Sequence, residues 1–278
     1  MDRIKLKELL PDELRHFMAR AKEKHYTLID VRQPQEYAVA HIPGAMLLPL
    51  MELESQLFDL PDDRALVFYC HSGARSEIAA ALAAEAELSD HPVYHLIGGM
   101  LAWDGHKLTD FPRVQLFDHT RSLSDLLMTA MDLEKGAYRY YRAVLDLFDD
   151  LPFRPVIEQL SKAEEAHARM VYALWKPDQT DPPPFQALFD GLVGDILEGG
   201  EPLADALERL RAIRTDIGLN VLELSLRIEY QAYDLYRSLA DRATDDRFRD
   251  SLLSIAQAEK THMRRLNQAI ADHFQSAP

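Results

Sequence analysis

Two stretches of this sequence lie 95 positions apart and carry the same pattern of chemically distinctive residues. The segments SKAEEAHARM, at 161–170, and AQAEKTHMRR, at 256–265, each contain Ala-Glu-x-x-His. The same offset aligns the preceding segments LEKGAYRYYR, at 133–142, and IEYQAYDLYR, at 228–237. So many matches at one offset indicate a duplicated helical hairpin. The duplication restricts this part of the chain to a fold with two similar helical halves.

Helical patterns fill the sequence from about residue 118 to about residue 275, without a convincing strand pattern. The segment KPDQTDPPP, at 176–184, contains too many prolines for a helix and must be a connection. We therefore expect an all-α domain at 118–275, in which four long helices form a bundle. The predicted helices are Thr120–Asp149, Pro155–Trp175, Pro184–Leu197, Leu203–Arg242 and Asp246–Phe274.

The repeat brings carboxylates and imidazoles onto common helix faces. The glutamate and histidine of each Glu-x-x-His motif share a face, because residues i and i+3 are neighbours on a helix. Another glutamate lies on the helix before each motif. A bundle core with four unpaired carboxylates is very costly unless cations are present, and two divalent metal ions satisfy such a set. The predicted ligands are Glu134, Glu164, His167, Glu229, Glu259 and His262.

This ligand pattern resembles that of the ferritin-like superfamily, and of rubrerythrin in particular, over residues 118–275. The resemblance implies two iron ions, or manganese or a mixed pair, with oxidoreductase chemistry on peroxide, oxygen or a sulfur species. The long connection from Lys176 to about Asp205 agrees with the crossover that such a bundle needs. Two alternatives remain: an ordinary bundle with exposed glutamates and histidines, and a metal-binding or dimerising scaffold without turnover.

The sequence departs from rubrerythrin in two respects. It has no C-terminal Cys-x-x-Cys pair, so the electrons would come from another protein. The additional carboxylate that rubrerythrin carries on its third long helix is replaced by Ala232, with Leu226 one turn back, which puts peroxidase chemistry in question. Tyr138 and Tyr233 each follow a predicted ligand by one turn, and they are either hydrogen-bond donors to the ligands or ordinary core tyrosines.

Residues 1–112 alternate short apolar runs with helical patterns. Such alternation predicts an α/β domain whose largely parallel sheet has helices on both faces. We place the boundary between the two domains near residues 110–118, around Phe111-Pro112. The predicted strands are Tyr26–Asp30, Ala65–Tyr69 and Val93–Ile97, and the predicted helices include Pro11–Lys24, Met51–Leu57 and Arg75–Glu87.

The only cysteine of the chain, Cys70, directly follows a predicted strand. That position lies at the carboxyl edge of the sheet, where α/β folds place their sites. The next residues predict a turn and a helix N-terminus, whose N–H groups stabilise a thiolate, a persulfide or an oxyanion. We expect Gly73 to permit the turn, Arg75 to add a positive charge and Ser76 to cap the helix. A buried, inert thiol is the alternative.

The surrounding sequence strongly resembles the rhodanese family over about residues 4–110. The segment LIDVRQPQEYAVAHIPGAMLLP, at 28–49, resembles the family signature, and CHSGARS, at 70–76, resembles its active-site loop. LIGGMLAW, at 96–103, resembles an element near the end of that domain. The resemblance implies that Cys70 is a nucleophile. It would carry sulfane sulfur as a persulfide from thiosulfate, or another anionic donor, to a thiol or other thiophilic acceptor.

The same resemblance suggests roles for the residues around Cys70. Arg75 would bind the anionic donor and is the second catalytic residue, and His41 is expected to be structural. The residues expected to form or support the loop are His71, Ser72, Gly73, Ala74, Ser76, Asp30 and Arg32. Two alternatives remain. One is a phosphatase or arsenate reductase, whose similar loop has one more residue between Cys and Arg. The other is a domain that only binds anions or partners.

The composition limits the partners of the chain. With 46 acidic and 31 basic residues the net charge is −15, which argues against non-specific binding to nucleic acid or to an anionic membrane. A single cysteine excludes an intrachain disulfide and a four-cysteine metal site. The sequence shows neither a signal peptide nor a run of about 18 apolar residues, so we expect a cytoplasmic protein. We also expect a homodimer without an organic cofactor.

Overall fold

The chain is described by a computed structural model that covers residues 6–87, 90–112 and 122–276. It divides into two compact units, which comprise residues 1–111 with 236–257, and residues 112–235 with 258–278. Residues 113–121 lie outside the described residues. Most of the predicted boundary, the predicted start of the bundle at 118 and that of its first helix at Thr120 fall in this gap.

The first unit contains a five-stranded sheet in which each described strand pair is parallel. Its strands are β1 (Leu6–Leu9), β2 (Tyr26–Asp30), β3 (Met46–Leu47), β4 (Ala65–Tyr69) and β5 (Val93–Leu96). The strand order β1-β5-β4-β2-β3 places β4 in the centre. Strands β2 and β4 are buried along their whole length, as expected for apolar strands covered on both faces.

Helices cover both faces of this sheet. They are α1 (Pro11–Arg20), α2 (Pro34–Val39), α3 (Leu50–Gln56), α4 (Ala74–Glu85) and α5 (Gly99–Ala102). Phe68 of β4 shares one core with Leu53 of α3 and Ala80 of α4. The neighbouring residue Val67 points the other way and shares a second core with Leu14 of α1. The predicted α/β class is therefore confirmed.

The rest of the chain is largely helical, as predicted. Its helices are α6 (Leu123–Leu147), α7 (Arg154–Trp175), α8 (Phe185–Gly191), α9 (Leu203–Ala212), α10 (Ile217–Arg242) and α11 (Asp246–Ser276). The four longest helices contribute to one apolar core in the second unit, where Val144, Leu160, Leu222 and Leu266 are fully buried. None of the helices in the described ranges is both long and apolar enough to cross a membrane.

Two predicted helices are interrupted in the structure. The predicted helix Pro184–Leu197 ends at Gly191, because Leu192 is extended, with a ψ of 145°, and the chain then turns at Gly194, which has a φ of 54°. The predicted helix Leu203–Arg242 consists of α9 and α10, separated at Asp216, which has a φ of 43°. Aspartate tolerates this left-handed conformation better than most residues do, so the polar segment between the helices becomes a turn.

Candidate active-site loop and candidate metal centre

Cys70 is the first residue after β4, and its thiol is buried. The backbone N–H of Gly73 donates a hydrogen bond to Sγ of Cys70 at 3.1 Å. Gly73 has a φ of 104°, which glycine adopts without steric cost, and it is the N-cap of α4. The chain therefore turns around the sulfur and leads directly into the positive end of a helix.

The pKa of the Cys70 thiol is lowered below its ordinary value. Burial alone would raise this pKa, but it is outweighed by hydrogen bonds from the Ser76 side chain and from the N–H groups of Ser76, Gly73 and Ser72. The loop thus stabilises a thiolate, which is the nucleophilic form of cysteine. Because Gly73 occupies the N-cap position, the predicted capping role of Ser76 is wrong. Ser76 lies inside the first turn, and the Gly73 carbonyl, 2.9 Å from its oxygen, is a second acceptor for its single hydroxyl proton.

The start of α5 fixes the backbone of the loop. A Cβ atom on Gly99 would lie 2.3 Å from the carbonyl oxygen of Cys70, so only glycine permits this close approach. The N–H of Met100 donates to the Cys70 carbonyl at 2.8 Å, and that of Leu101 donates to the His71 carbonyl at 3.0 Å. These contacts explain why a Gly-Gly segment accompanies the cysteine loop.

Arg75 forms a two-pronged ion pair with Glu36, a residue that is not among the predicted site residues. Both nitrogen–oxygen distances are 2.8 Å, and each side chain is about one-third exposed. Hydrogen bonding to Arg75 lowers the pKa of Glu36 to about 2. The N–H of Gln33 also donates to the Glu36 carboxylate at 3.0 Å, which anchors it at the start of α2. The guanidinium is thereby fixed near the loop.

Asp30 and Arg32 form a buried ion pair at the end of β2, with Nη2 of Arg32 2.6 Å from Oδ2 of Asp30. Arg32 also donates to the carbonyl of Ala40 at 2.7 Å. Asp30 is paired in the sheet with Tyr69, the residue before Cys70. The ion pair is therefore placed to support the strand that carries the cysteine.

The rim of the loop is accessible, whereas the sulfur lies below it. His71, Ser72 and Ala74 are exposed. His41 is fully buried, and its ring stacks on that of Tyr37 with 3.9 Å between the centroids. This packing agrees with a structural role for His41.

The predicted metal ligands converge within the second unit, and all six are buried. One donor atom from each of Glu134, Glu164 and His167 lies within 4.8 Å of the other two. The same holds for Glu164, Glu229 and His262. Because Glu164 belongs to both groups, it lies where a carboxylate could be shared between two metal ions.

Glu259 is a second carboxylate placed between the two groups. Its Oε1 is 3.2 Å from Nδ1 of His167, and its Oε2 is 3.0 Å from Nδ1 of His262. Nδ1 of His167 also lies 3.3 Å from an oxygen of Glu134 and 3.3 Å from one of Glu164. One N–H cannot serve three carboxylates well, whereas a cation among them could bind all three. Carboxylate and imidazole donors suit iron and manganese.

Without cations, the cluster offsets its charge with protons. Burial raises the pKa of Glu164 well above its ordinary value and that of Glu229 to about 8. Burial alone would lower the pKa of His262, but Glu229 and Glu259 outweigh it and raise this pKa to about 11. For Glu259, the two imidazoles outweigh burial and lower the pKa. Protons therefore occupy positions that cations could take.

Tyr141 supports one of the ligands directly. It is fully buried, and its hydroxyl donates a hydrogen bond to Oε1 of Glu229. Tyr138, one of the two predicted donors, is half-buried, and its ring packs edge-on against Phe189 at 5.4 Å. Tyr233, the other, is buried. The tyrosine of α6 that donates to a predicted metal ligand is therefore Tyr141 and not Tyr138.

One further acidic side chain belongs to this region, and no motif in the sequence indicates it. Glu198, in the connection between α8 and α9, is buried. Burial, followed by the negative charges of Glu134 and Glu164, raises its pKa well above the ordinary value. The acidic set around the two histidines therefore includes a fifth carboxylate.

Family comparisons agree with the two halves of this description. Residues 10–106 match the rhodanese-like domain family, and residues 220–277 match the rubrerythrin family. The chain is 40% identical over 81 residues to a sulfurtransferase of Allochromatium vinosum, a match that covers 29% of this chain and 74% of that protein. It is 33% identical over 105 residues to a thiosulfate:glutathione sulfurtransferase of Saccharomyces cerevisiae, covering 32% of this chain and 74% of that protein.

The chain therefore belongs to the rhodanese-like sulfurtransferases, and it carries a rubrerythrin domain in addition. Another relative also matches about a third of this chain. A probable adenylyltransferase/sulfurtransferase MoeZ of Mycobacterium tuberculosis is 41% identical over 97 residues, which are 34% of this chain. The chain spans only 24% of that protein's length.

Proposed function

We propose that this chain transfers sulfane sulfur through a persulfide on Cys70, and that its helical part uses a di-iron pair for oxidoreductase chemistry on peroxide, oxygen or a sulfur species. The observation that carries the first part is the Cys70 sulfur, which accepts a hydrogen bond from Gly73 N–H at 3.1 Å and has a lowered pKa. The relatives that are named sulfurtransferases support the same reaction.

The sulfur chemistry follows from the loop. The Cys70 thiolate attacks the outer sulfur of an anionic donor such as thiosulfate, and the sulfur–sulfur bond to sulfite breaks. Sulfite leaves with the electron pair, and Cys70 becomes a persulfide. The N–H groups of the loop stabilise the negative charge of the terminal sulfur, as they stabilise the thiolate. An acceptor thiolate then attacks that sulfur, and Cys70 leaves as a thiolate again.

The loop dimensions favour sulfur transfer over phosphate or arsenate chemistry. Four residues separate Cys70 from Arg75, one fewer than in the related phosphatases, whose larger loop makes room for a tetrahedral anion. Arg75 supplies a positive charge near the loop that attracts the donor, and Glu36 balances part of that charge. The shorter loop thus suits a single sulfur atom.

The second part of the proposal rests on the buried ligand set. Glu134, Glu164, His167, Glu229, Glu259 and His262 would hold the two metal ions. A bound iron pair would supply stored electrons for redox chemistry. Tyr141 fixes the orientation of Glu229, and burial of the ligands keeps bulk water away. Manganese or a mixed pair, an external electron donor, a homodimer and a cytoplasmic location stay predictions.

A scaffold without turnover is the alternative for the bundle, and Ala232 favours it because this position lacks the additional rubrerythrin carboxylate. Spectroscopy distinguishes the two. A redox-active pair should be oxidised by oxygen or peroxide and then reduced again, whereas a scaffold should keep its metal in one state. Failure of the bound pair to respond to both oxidants would leave the scaffold as the function of the bundle.

The test of the whole proposal begins with protein purified without chelators. After incubation with thiosulfate, intact wild-type protein should gain the mass of one sulfur atom, and Cys70→Ser should not. Wild-type protein should also contain about two metal ions per chain, which Glu164→Ala/Glu259→Ala should lose. Unchanged sulfur transfer in Cys70→Ser would refute the first part. A folded wild type that cannot take up iron would refute the second.

A further inference from the structure

Glu198 is a fully buried acid, and one of its oxygens has no hydrogen-bond partner in the part of the chain that the structure describes. Its side chain is 1% exposed, and Oε2 has no hydrogen-bond partner among the described residues. Burying a carboxylate in this way is costly, because this oxygen loses water without gaining a donor from the described residues. A bound cation would offset the cost of burying this side chain.

A tight hairpin in the connection between α8 and α9 carries Glu198 at its tip. The N–H of Leu197 donates to the Glu201 carbonyl at 2.9 Å, and the N–H of Gly200 donates to the Leu197 carbonyl at 2.7 Å. Ile196 and Pro202 form an antiparallel bridge below this turn. The backbone on both sides of Glu198 is therefore fixed by the hairpin itself.

The hairpin is attached to α6 on both sides of the ligand Glu134. The N–H of Gly194 donates to Oδ1 of Asp132 at 3.0 Å, and Arg139 donates to the Gly194 carbonyl at 2.9 Å. Between these anchors, a Cβ atom on Gly136 would lie 2.1 Å from the Ile196 carbonyl oxygen, so the two backbones are in direct contact. The hairpin thus crosses α6 at the level of the metal centre.

The same hairpin also contacts α10 beside a second ligand. A Cβ atom on Gly199 would lie 2.5 Å from Oε1 of Gln231, which is two residues from Glu229. The carboxylates of Glu134, Glu164 and Glu259 all act electrostatically on Glu198. Carboxylates grouped around one buried acid are unfavourable unless protons or cations offset their charge, and a cation among them would reverse the sign of the interaction.

We propose that Glu198 is a seventh protein ligand of the metal centre, and that it binds the ion held by Glu134 and His167 when the pair is oxidised. This inference rests on the proposed di-iron function. Four ligand carboxylates balance two divalent ions, whereas oxidation adds positive charge that a fifth carboxylate offsets. Glu198 would thus supply, from the crossover connection, the additional carboxylate that position 232 lacks.

The test compares iron retention against a chelator in both oxidation states. Wild type, Glu198→Gln and Asp195→Asn are loaded with iron as full-length proteins, and each is challenged as the ferrous and as the ferric form. Asp195 is an exposed acid on the same hairpin, so its variant controls for the change in charge. We expect Glu198→Gln to retain ferric iron about ten- to a hundredfold less well than wild type. Ferrous retention, and both states of Asp195→Asn, should remain unchanged.

A ferric-specific loss supports the ligand role, because a merely structural defect would weaken both states equally. Equal losses in both states, or no loss in either, would overturn the inference. If wild type itself binds no iron, the proposed di-iron function fails first, which separates the two failures. Should Glu198→Gln not fold, Glu198→Leu, of similar volume and without ligand oxygens, is assayed by the same comparison.

Discussion

The two sites of this chain compensate the charge of their side chains in opposite ways. Near Cys70, the chain supplies opposite partners itself, as in the ion pairs Asp30–Arg32 and Glu36–Arg75. In the bundle, five buried carboxylates share two imidazoles. They are Glu134, Glu164, Glu198, Glu229 and Glu259. The first site is electrostatically complete without an added ion, whereas the second needs protons or cations. Under the proposed function, this difference separates a site built around its own nucleophile from one that receives a cofactor.

The largest expected effect is that a variant of either site loses the property of that site completely and keeps the property of the other. Cys70→Ser should abolish thiosulfate-dependent sulfur transfer, because a serine hydroxyl cannot carry a persulfide, and it should keep the metal content of wild type. Glu164→Ala/Glu259→Ala should lose the metal and keep sulfur transfer. Metal analysis and a sulfur-transfer assay on each variant check this. Loss of both properties in either variant would show that the sites depend on each other.

Metal binding should stabilise the bundle strongly. An ion that binds only the folded state adds about 2.7 kcal/mol to the free energy of unfolding when its free concentration is a hundred times its dissociation constant. Iron(II) should therefore shift the denaturant unfolding of wild type to higher concentration under anaerobic conditions. Glu164→Ala/Glu259→Ala is the matched control and should show no shift. An equal shift in both proteins would place the bound ion elsewhere.

The affinity of the bundle for metal should fall as the pH falls. At about pH 7 and below, His262, with a pKa of about 11, and Glu229, with a pKa of about 8, hold protons that metal ions must displace. Each displaced proton weakens binding about tenfold per pH unit of acidification in this range. Chelator competition at roughly pH 6 and pH 7 measures the slope. An affinity that is independent of pH would contradict the proton-filled cluster.

At the first site, the hydroxyl of Ser76 should contribute measurably to the lowered thiol pKa of Cys70. A hydrogen bond to a charged group is worth about 1.5–3 kcal/mol, so Ser76→Ala should raise this pKa by about one unit or more. Because Cys70 is the only cysteine, the pH dependence of alkylation reports it alone. Ser72→Ala is the control, since Ser72 acts through its backbone N–H. If the thiol pKa rose equally in Ser76→Ala and Ser72→Ala, the Ser76 hydroxyl would have no specific effect on it.

Much of the sheet could be predicted because its central strands are short, continuous apolar runs. Strands β2 and β4 have the predicted limits, Tyr26–Asp30 and Ala65–Tyr69. Strand β1, with the sequence LKEL, was missed because it is mostly exposed and half of its residues are charged. Strand β3 has only two residues and carries no periodic signal. Periodicity thus identifies strands that are buried on both faces and misses edge strands.

The buried acidic cluster and the tyrosine that supports it could be predicted only where helical spacing governs their positions. Glu198 was missed because it lies in an irregular hairpin outside the repeat, and packing alone brings it to the centre. Tyr141 was missed because the prediction used one helical turn from Glu134, which selects Tyr138. On a helix, a side chain four residues along points about 40° away from the direction of the first side chain. A side chain seven residues along points only about 20° away. Tyr141, seven residues on, therefore stays closer to the ligand-bearing face.

Glu36 is the other residue that only the structure identifies, and its removal should have the smallest effect. Its capping position at the start of α2 was visible in the sequence, but its contact with Arg75 depends on how α2 packs beside the loop. Glu36→Gln removes a negative charge beside the guanidinium. Because partly exposed ion pairs are worth about 1 kcal/mol or less, the KM for thiosulfate should fall only a few-fold, with little change in kcat.

Comparing an anionic sulfur donor with a neutral one makes this prediction more specific. A neutral persulfide donor gains nothing from a freed Arg75, so its KM should be the same in Glu36→Gln and in wild type. Glu77→Gln, which removes an exposed acid from α4, controls for the change in net charge and should leave both KM values unchanged. A rise in the KM for thiosulfate would show that Glu36 positions Arg75 for the donor. In that case the Glu36–Arg75 ion pair belongs to the donor-binding site. The Cys70 site would then depend on its ion pair as strictly as the acidic cluster of the bundle depends on cations.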